Sequence, residues 1–480
     1  MREKSVITRT IEAAGGVYAP GHLGELTQIV DFALVDAVLE ETGTRERRLR
    51  LLPSRVVVYF VLAPALFEHD SYRGVWGKLV AGLEGLALVR PAVSSLSRAR
   101  RRTGAAPLRR LFETPAGPVA SGGRPGVFYR GLRTVAVDGT LLHVPDDEAV
   151  TWRYPKRSGE SAEFGYPLLR LLVVVECGTR AILAAAFGPE SDGEPTCAGR
   201  LLGALDRSML LLADAAFDAN EFLRDVQAGG AQFLVRSSAR RVPTPFRHLG
   251  DGSYLARLGY GVLPVLLEVR VIEAQITVRL ADGTIRCEQW RLLTSLLDPI
   301  RYPADELVRL YHDRWQAETT YFSIKATMLD GRVLRSRSLQ GLDQEVYALI
   351  TAYQALIRAA ADAAGTQPGL DMDRISFTVL LQSAADQVIT AGNILTHSPA
   401  GPLGAIGRAV LDALLPAWRR PRIKARTRKN PTSKYGTNAG QHPPPPARTT
   451  PSTPTTCSSN TDLQPGRDGK RNGVDRNDHA

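Results

Sequence analysis

Between Gly126 and Ser238 the chain breaks into short apolar runs separated by turn residues. "RTVAVDGTLLHVP" reads as a strand with Asp138 inside it. "LLRLLVVVEC", the pair Gly178 and Thr179, and "RAILAAAFGP" read as a hairpin. "EPTCAGRLLGAL" is a short helix, "SMLLLADAAF" a fourth strand closing on Asp214, "DANEFLRDVQAGG" a helix stopped by glycines, and "AQFLVRSS" a fifth strand. The order β-β-β-α-β-α-β predicts an α/β sandwich whose first three strands form a meander.

The flanks have other rhythms. Residues 20 to about 90 carry a helical pattern: "GELTQIVDFALVDAVLEETG" has a period near 3.6 with Gly43 as its stop, Pro53 can open the next helix, and Pro64 kinks or breaks it. The Gly/Pro-rich joint "ETPAGPVASGGRPG" separates this helical part from the strands. Residues 240–288 are β-rich and interrupt the sandwich. One long helix is expected from Pro303 to about Leu329, then helices near 343–364 and 373–394. "HPPPPARTTPSTPTTCSSN" cannot bury a core and is expected to be disordered. The expected domains are a helical DNA-binding domain (1–125), the first part of a catalytic core (126–240), a β-rich insertion (241–290), the second part of the core with C-terminal helices (291–418), and a basic, then disordered tail (419–480).

A chain of 480 residues with no uncharged apolar run of 18 residues offers no membrane span. Its N-terminus lacks the apolar segment of a secretory signal. Cys177, Cys197, Cys287 and Cys457 form no CxxC pair, which fits a reducing cytosol and argues against a zinc knuckle. The net charge of +11 is clustered: five Arg lie between Arg45 and Arg55, six between Arg98 and Arg110, and eight bases between Arg419 and Lys434. Such blocks are the electrostatic footprint of a polyanion binder, nucleic acid above all.

Two acids are conspicuous by position. Asp138 lies within an apolar strand and Asp214 ends another. Burying a carboxylate is costly without a partner, and a divalent cation is one such partner. The local alternative is that Asp138 starts a turn with Gly139 while Asp214 caps the next helix.

In "YHDRWQAETTYFSIK" a third acid joins them. Tyr311, Arg314, Glu318 and Lys325 stand at offsets 0, 3, 7 and 14, one face of a helix. An ordinary surface helix with an Arg314–Glu318 pair would satisfy the same spacing. The spacing Y-x2-R-x3-E-x6-K, with Asp138-Gly-Thr and the Asp-x-x-Phe element from Asp214 to Phe217 ahead of it, resembles the YREK signature of the insertion-sequence-four family of DDE transposases. "RERRLRLLPSRVVVYFVLAPALFEHDSY" resembles the N-terminal domain of these proteins, so the likeness runs from about residue 20 to 436. Ala215 and Ala216 stand where the family often has Arg or another residue with Gly.

The resemblance implies a ribonuclease-H-like mixed sheet with a β-strand insertion, behind an all-helical DNA-binding domain. It implies Asp138, Asp214 and Glu318 as catalytic ligands of two Mg²⁺ ions, for which Mn²⁺ can substitute. Arg314 and Lys325 would bind phosphates of the element's end, and Tyr311 a phosphate near a flipped base. Trp290 would stack on that base, or else pack at the edge of the insertion sheet. Trp315 falls off this face and is expected in the core, as is Phe322, while Asp313 is expected on ordinary helix surface. The expected partners are the element's own terminal inverted repeats and target DNA, held by a homodimer in the bacterial cytoplasm at the nucleoid. The alternatives are a nuclease without strand transfer and a DNA-binding protein derived from a transposase.

Overall fold

The computed structural model describes residues 21–416 apart from 49, 84–86, 121–122, 159–162, 239, 260–266, 280–284 and 392–402, and also Thr456–Ser458. The N-terminal helices are α1 (Phe32–Glu41), α2 (Ser54–Leu62), α3 (Tyr72–Val80), α4 (Val93–Thr103) and α5 (Ala106–Glu113). The Asp31 carboxylate accepts the Leu34 N–H at 2.7 Å and starts α1 afresh, so the pattern from Leu26 is a 3₁₀ turn followed by a capped helix. Pro53 opens α2, and the chain tightens into a 3₁₀ turn at Ala63–Ala65, where Pro64 cannot continue the helix.

The strands follow as expected: β1 (Leu132–His143), β2 (Leu168–Glu176) and β3 (Ile182–Pro189), then α6 (Glu194–Gly199), β4 (Met209–Ala213), α7 (Asn220–Ala228) and β5 (Gln232–Arg236). Their spatial order is β3-β2-β1-β4-β5. The first three strands pair antiparallel; β1–β4 and β4–β5 pair parallel. This is the ribonuclease-H-like mixed sheet. The insertion supplies β6 (Pro245–His248), β7 (Tyr254–Leu258), β8 (Leu267–Arg279) and β9 (Ile285–Thr294). It extends the same sheet, because β9 pairs antiparallel with β5 through Leu292–Arg236, Leu293–Val235 and Thr294–Leu234. Most of the tail expected to be disordered lies outside the described residues; Thr456–Ser458 forms a strand beside β8.

Alternation along β1 divides the core. Val135 and Val137 join the apolar layer under α6 and α7, whereas Ala136 and Leu142 join the layer on the opposite face. Asp138 shares the parity of Ala136 and so belongs to that opposite face. The helices there are α8 (Ala304–Leu310), α9 (Trp315–Phe322) and the 27-residue α10 (Leu339–Gly365), followed by α11 (Phe377–Ile389) and α12 (Ala405–Asp412). α10 is buried along most of its length and packs on α5 and α2 as well as the sheet. Phe112 of α5 meets Tyr347 of α10 at 6.3 Å between rings, and Gln354 of α10 accepts the Ile182 N–H of β3 at 2.8 Å. The N-terminal helices and the catalytic half therefore share one apolar core.

Candidate active site

The run expected as one long helix is broken into phases. Between α8 and α9 the residues Tyr311–Arg314 wind as a 3₁₀ turn, and Ser323–Met328 after α9 wind as a π turn. Each change rotates the following side chains away from a uniform 3.6-residue repeat.

The first two acids are brought together by strand register. β1 and β4 run parallel with Ala136 opposite Leu212. Two residues further along, Asp138 draws level with Asp214, just where β4 has ended. Glu318 arrives from α9, and Arg314 ties the set together. Its guanidinium donates to Glu318 at 2.7 Å and lies 3.5 Å from the Asp138 carboxylate. The local alternatives are present as geometry too. Gly139 N–H donates to Asp138 at 2.8 Å, Ala216 N–H to Asp214 at 2.9 Å, and Arg314 pairs with Glu318 four residues on. None of these bonds prevents the three acids from meeting.

The electrostatics record that meeting. Burial pushes the Asp138 carboxyl up to about 6; Arg314 and the Gly139 N–H pull it down, and the carboxylates of Asp214 and Glu318 push it up again. Three hard oxygen donors with mutual repulsion suit a hard divalent cation. Among the described residues no group of three His, Cys, Asp or Glu is close enough to hold a metal as it lies. In this conformation Arg314 supplies the positive charge beside Asp138 and Glu318.

The other expected site residues are placed unevenly. Lys325, on the π turn, donates to Thr140 Oγ1 at 3.2 Å, two residues past Asp138. Tyr311 lies beneath the site and not at its rim. It is 3% exposed, and its hydroxyl donates to the Ala213 carbonyl at 3.0 Å, next to Asp214. Burial pushes that hydroxyl up to about 12. Trp290, on β9, is half-buried. Its ring meets Tyr311 edge-on at 5.2 Å and His312 at 5.3 Å, Arg236 lies 5.3 Å from its centroid, and its indole N–H donates to Glu288 at 3.0 Å. The insertion thus reaches the site through Trp290.

Three neighbours depart from expectation. Trp315 and Phe322 are 55% and 57% exposed; seven residues apart, they share one face of α9, and that face is turned to solvent. Asp313 is half-buried, and its carboxyl is pushed up to about 6 by burial and by the carboxylates of Asp373 and Asp371. Sequence reasoning also missed Tyr321. Its buried hydroxyl accepts the Val173 N–H at 3.1 Å and donates toward the Asp138 carbonyl at 2.5 Å, with the Leu171 carbonyl 3.2 Å away. It fastens α9 to the β1–β2 ladder at the residue that bears the first acid. Its place three residues after Glu318 was the one available signal.

A mixed sheet with one acid inside its central strand, a second level with it just past the neighbouring parallel strand, and a third delivered by a helix is the arrangement the chain presents. The model of the insertion element 4 transposase N-terminal region matches residues 20–113, and that of the transposase DDE domain matches residues 129–355. The chain belongs to the insertion-sequence-four family of DDE transposases. It is 27% identical over 336 residues to the transposase InsG for insertion sequence element IS4 of Escherichia coli (strain K12), spanning 69% of this chain and 75% of that protein. Among solved structures it is similar, at a TM-score of 0.40 and 10% identity, to the piggyBac transposase in a synaptic complex with hairpin DNA; the match spans 85% of this chain and 87% of that one.

Proposed function

We propose that this transposase excises its own element at the terminal inverted repeats and joins it to target DNA by successive phosphoryl transfers at one site, by way of hairpin ends. Asp138, Asp214 and Glu318 would hold two Mg²⁺ ions, for which Mn²⁺ could substitute. When bound, such ions lower the pKa of an attacking water or 3′-hydroxyl and offset charge on the leaving oxygen. The observation that carries this reading is the parallel register that sets Asp138 level with Asp214, with Arg314 joining Asp138 to Glu318.

The chain's own groups do the rest. Arg314 exchanges its carboxylate partners for a phosphate of the element's end, which its planar fork can grip through two N–H groups. Lys325 places a point charge beside β1 for a neighbouring phosphate. Trp290 offers a ring face to an extruded base, worth about 1–3 kcal/mol of stacking. Tyr311 acts from beneath as the support of both Trp290 and the end of β4. Both ends must be cut together, so the working form is a homodimer on paired ends.

The test is cleavage of a labelled end by the purified protein with and without Mg²⁺. Glu318→Gln abolishes cleavage while leaving DNA binding intact; cleavage by that variant at the wild-type rate overturns the catalytic assignment.

A further inference from the structure

The N-terminal helices do not offer DNA equivalent surfaces. Much of the basic block 98–110 is spent inside the protein. Arg100 is buried against α10, donating to Ser336 Oγ at 3.1 Å and lying over the Tyr72 ring. Arg109 pairs with Glu113, and Arg110 with Glu41. α5 is closed off in this way, its apolar face under α10 and its bases neutralised. α1 is likewise claimed, its Glu40 pairing with Arg45 and its Asp36 with Arg55.

α4 differs. Leu96, Ala99, Arg100 and Thr103 are buried, which leaves the opposite face of this 11-residue helix to solvent. That face presents Val93 (48% exposed), Ser94, Arg98 and Arg101, with Arg102 on its flank. α4 contains no acid, and among the described residues no acid forms an ion pair with Arg98, Arg101 or Arg102. Arg102 donates to the Leu52 carbonyl at 2.7 Å, which ties the α1–α2 loop to the end of α4. Arg50 of that loop is close enough to lower the Arg102 pKa, after burial as the larger cause and against the opposing charge of Glu46, and Arg47 and Arg48 stand exposed on the same loop. Grouping like charges costs stability unless an external anion relieves it.

We propose that α4 is the helix that reads the element's end, inserted in the major groove of duplex DNA. Ser94, Arg98 and Arg101 face base edges, and Arg47, Arg48 and Arg50 clamp a flanking phosphate strand. An α-helix fits that groove; Arg and Ser are among the side chains that hydrogen-bond base edges, and an exposed Val is suited to a thymine methyl. Loop arginines beside the helix are placed for phosphates, which set register without reading sequence. This inference rests on the proposed recognition of the element's own ends.

The experiment measures binding of the full chain to a labelled duplex from the DNA flanking its gene, against a duplex of the same composition in shuffled order, at two salt concentrations. The expected wild-type result is a preference for the flanking duplex. Arg98→Ala with Arg101→Ala reduces that preference about tenfold or more. Arg47→Ala with Arg48→Ala weakens both duplexes alike and flattens the salt dependence by about two counterions. All the replaced side chains are exposed, and a thermal melt of each variant confirms its fold. Wild-type protein that binds both duplexes equally overturns end recognition and this inference with it. Wild-type protein that discriminates, with the Arg98/Arg101 variant discriminating as well, overturns the α4 assignment alone.

Discussion

Asp313 is a carboxylate kept at a cost. Burial and its acidic neighbours Asp373 and Asp371 raise it from an ordinary 3.8 to about 6. A raised acid pKa means that the folded chain binds more protons than the unfolded one between those values, so its contribution to stability falls as pH rises from about 4 to about 6. Asp313→Asn therefore melts higher than wild type at pH 7, and the gap closes near pH 4, as scanning calorimetry at both pH values would show. Tyr321 yields a sharper prediction about the site. Tyr321→Phe removes one buried hydroxyl and costs about 1 kcal/mol. Because that hydroxyl sets α9 against Asp138, the proposed metal-dependent cleavage predicts that the variant needs several-fold more divalent cation for half-maximal rate at unchanged DNA affinity. Tyr59→Phe, which loses a comparable buried bond to the Val30 carbonyl, is the control and leaves the Mg²⁺ requirement unaltered. Asp138 and Asp214 were visible in the sequence because carboxylates in or after an apolar strand stand out among Val, Leu and Ala, and Glu318 because of its spacing from Tyr311, Arg314 and Lys325. The exposure of Trp315 and Phe322 was not, since large aromatic side chains ordinarily mark the buried face of a helix.

Among the elements, the insertion strands matter most for placing the site. Arg270 of β8 is completely buried; it donates to Ser253 Oγ at 2.7 Å and the Tyr302 carbonyl at 2.6 Å, and pairs with the Asp251 carboxylate. Asp251 also accepts the Ala304 N–H at 3.2 Å, the first residue of α8. One ion pair thus fixes where the helical run leading to Glu318 begins. Asp251→Ala leaves a buried guanidinium without its counter-ion and costs about 3–5 kcal/mol, measurable by urea unfolding. The β-rich character of 240–288 was legible from its lack of a helical period. Its continuation of the catalytic sheet was not, because pairing of β9 with β5 joins residues more than fifty positions apart and leaves no local trace. The meander and both parallel strands were legible, since each is a short apolar run with turn residues at its ends.

At the scale of the molecule, the sequence break at 113–126 suggests a boundary, but the apolar core runs across it. Leu108 and Leu111 are buried with Phe112, which packs near Tyr347 of α10. A fragment ending at residue 125 lacks that cover. It is expected to melt without a cooperative transition by circular dichroism, whereas the same helices within the full chain melt together with the sheet. The basic blocks alone could not have told which arginines are free, because Arg100 and Arg110 find partners far along the chain. This shared core also sets a timetable. Tyr347 is made roughly 235 residues after Phe112, a delay on the order of ten to fifty seconds at ordinary rates of synthesis. Throughout that interval the nascent helices display bare leucine and phenylalanine, surface suited to a chaperone. The N-terminal helices then reach their settled form only as α10 emerges, after all three acids have already been synthesised.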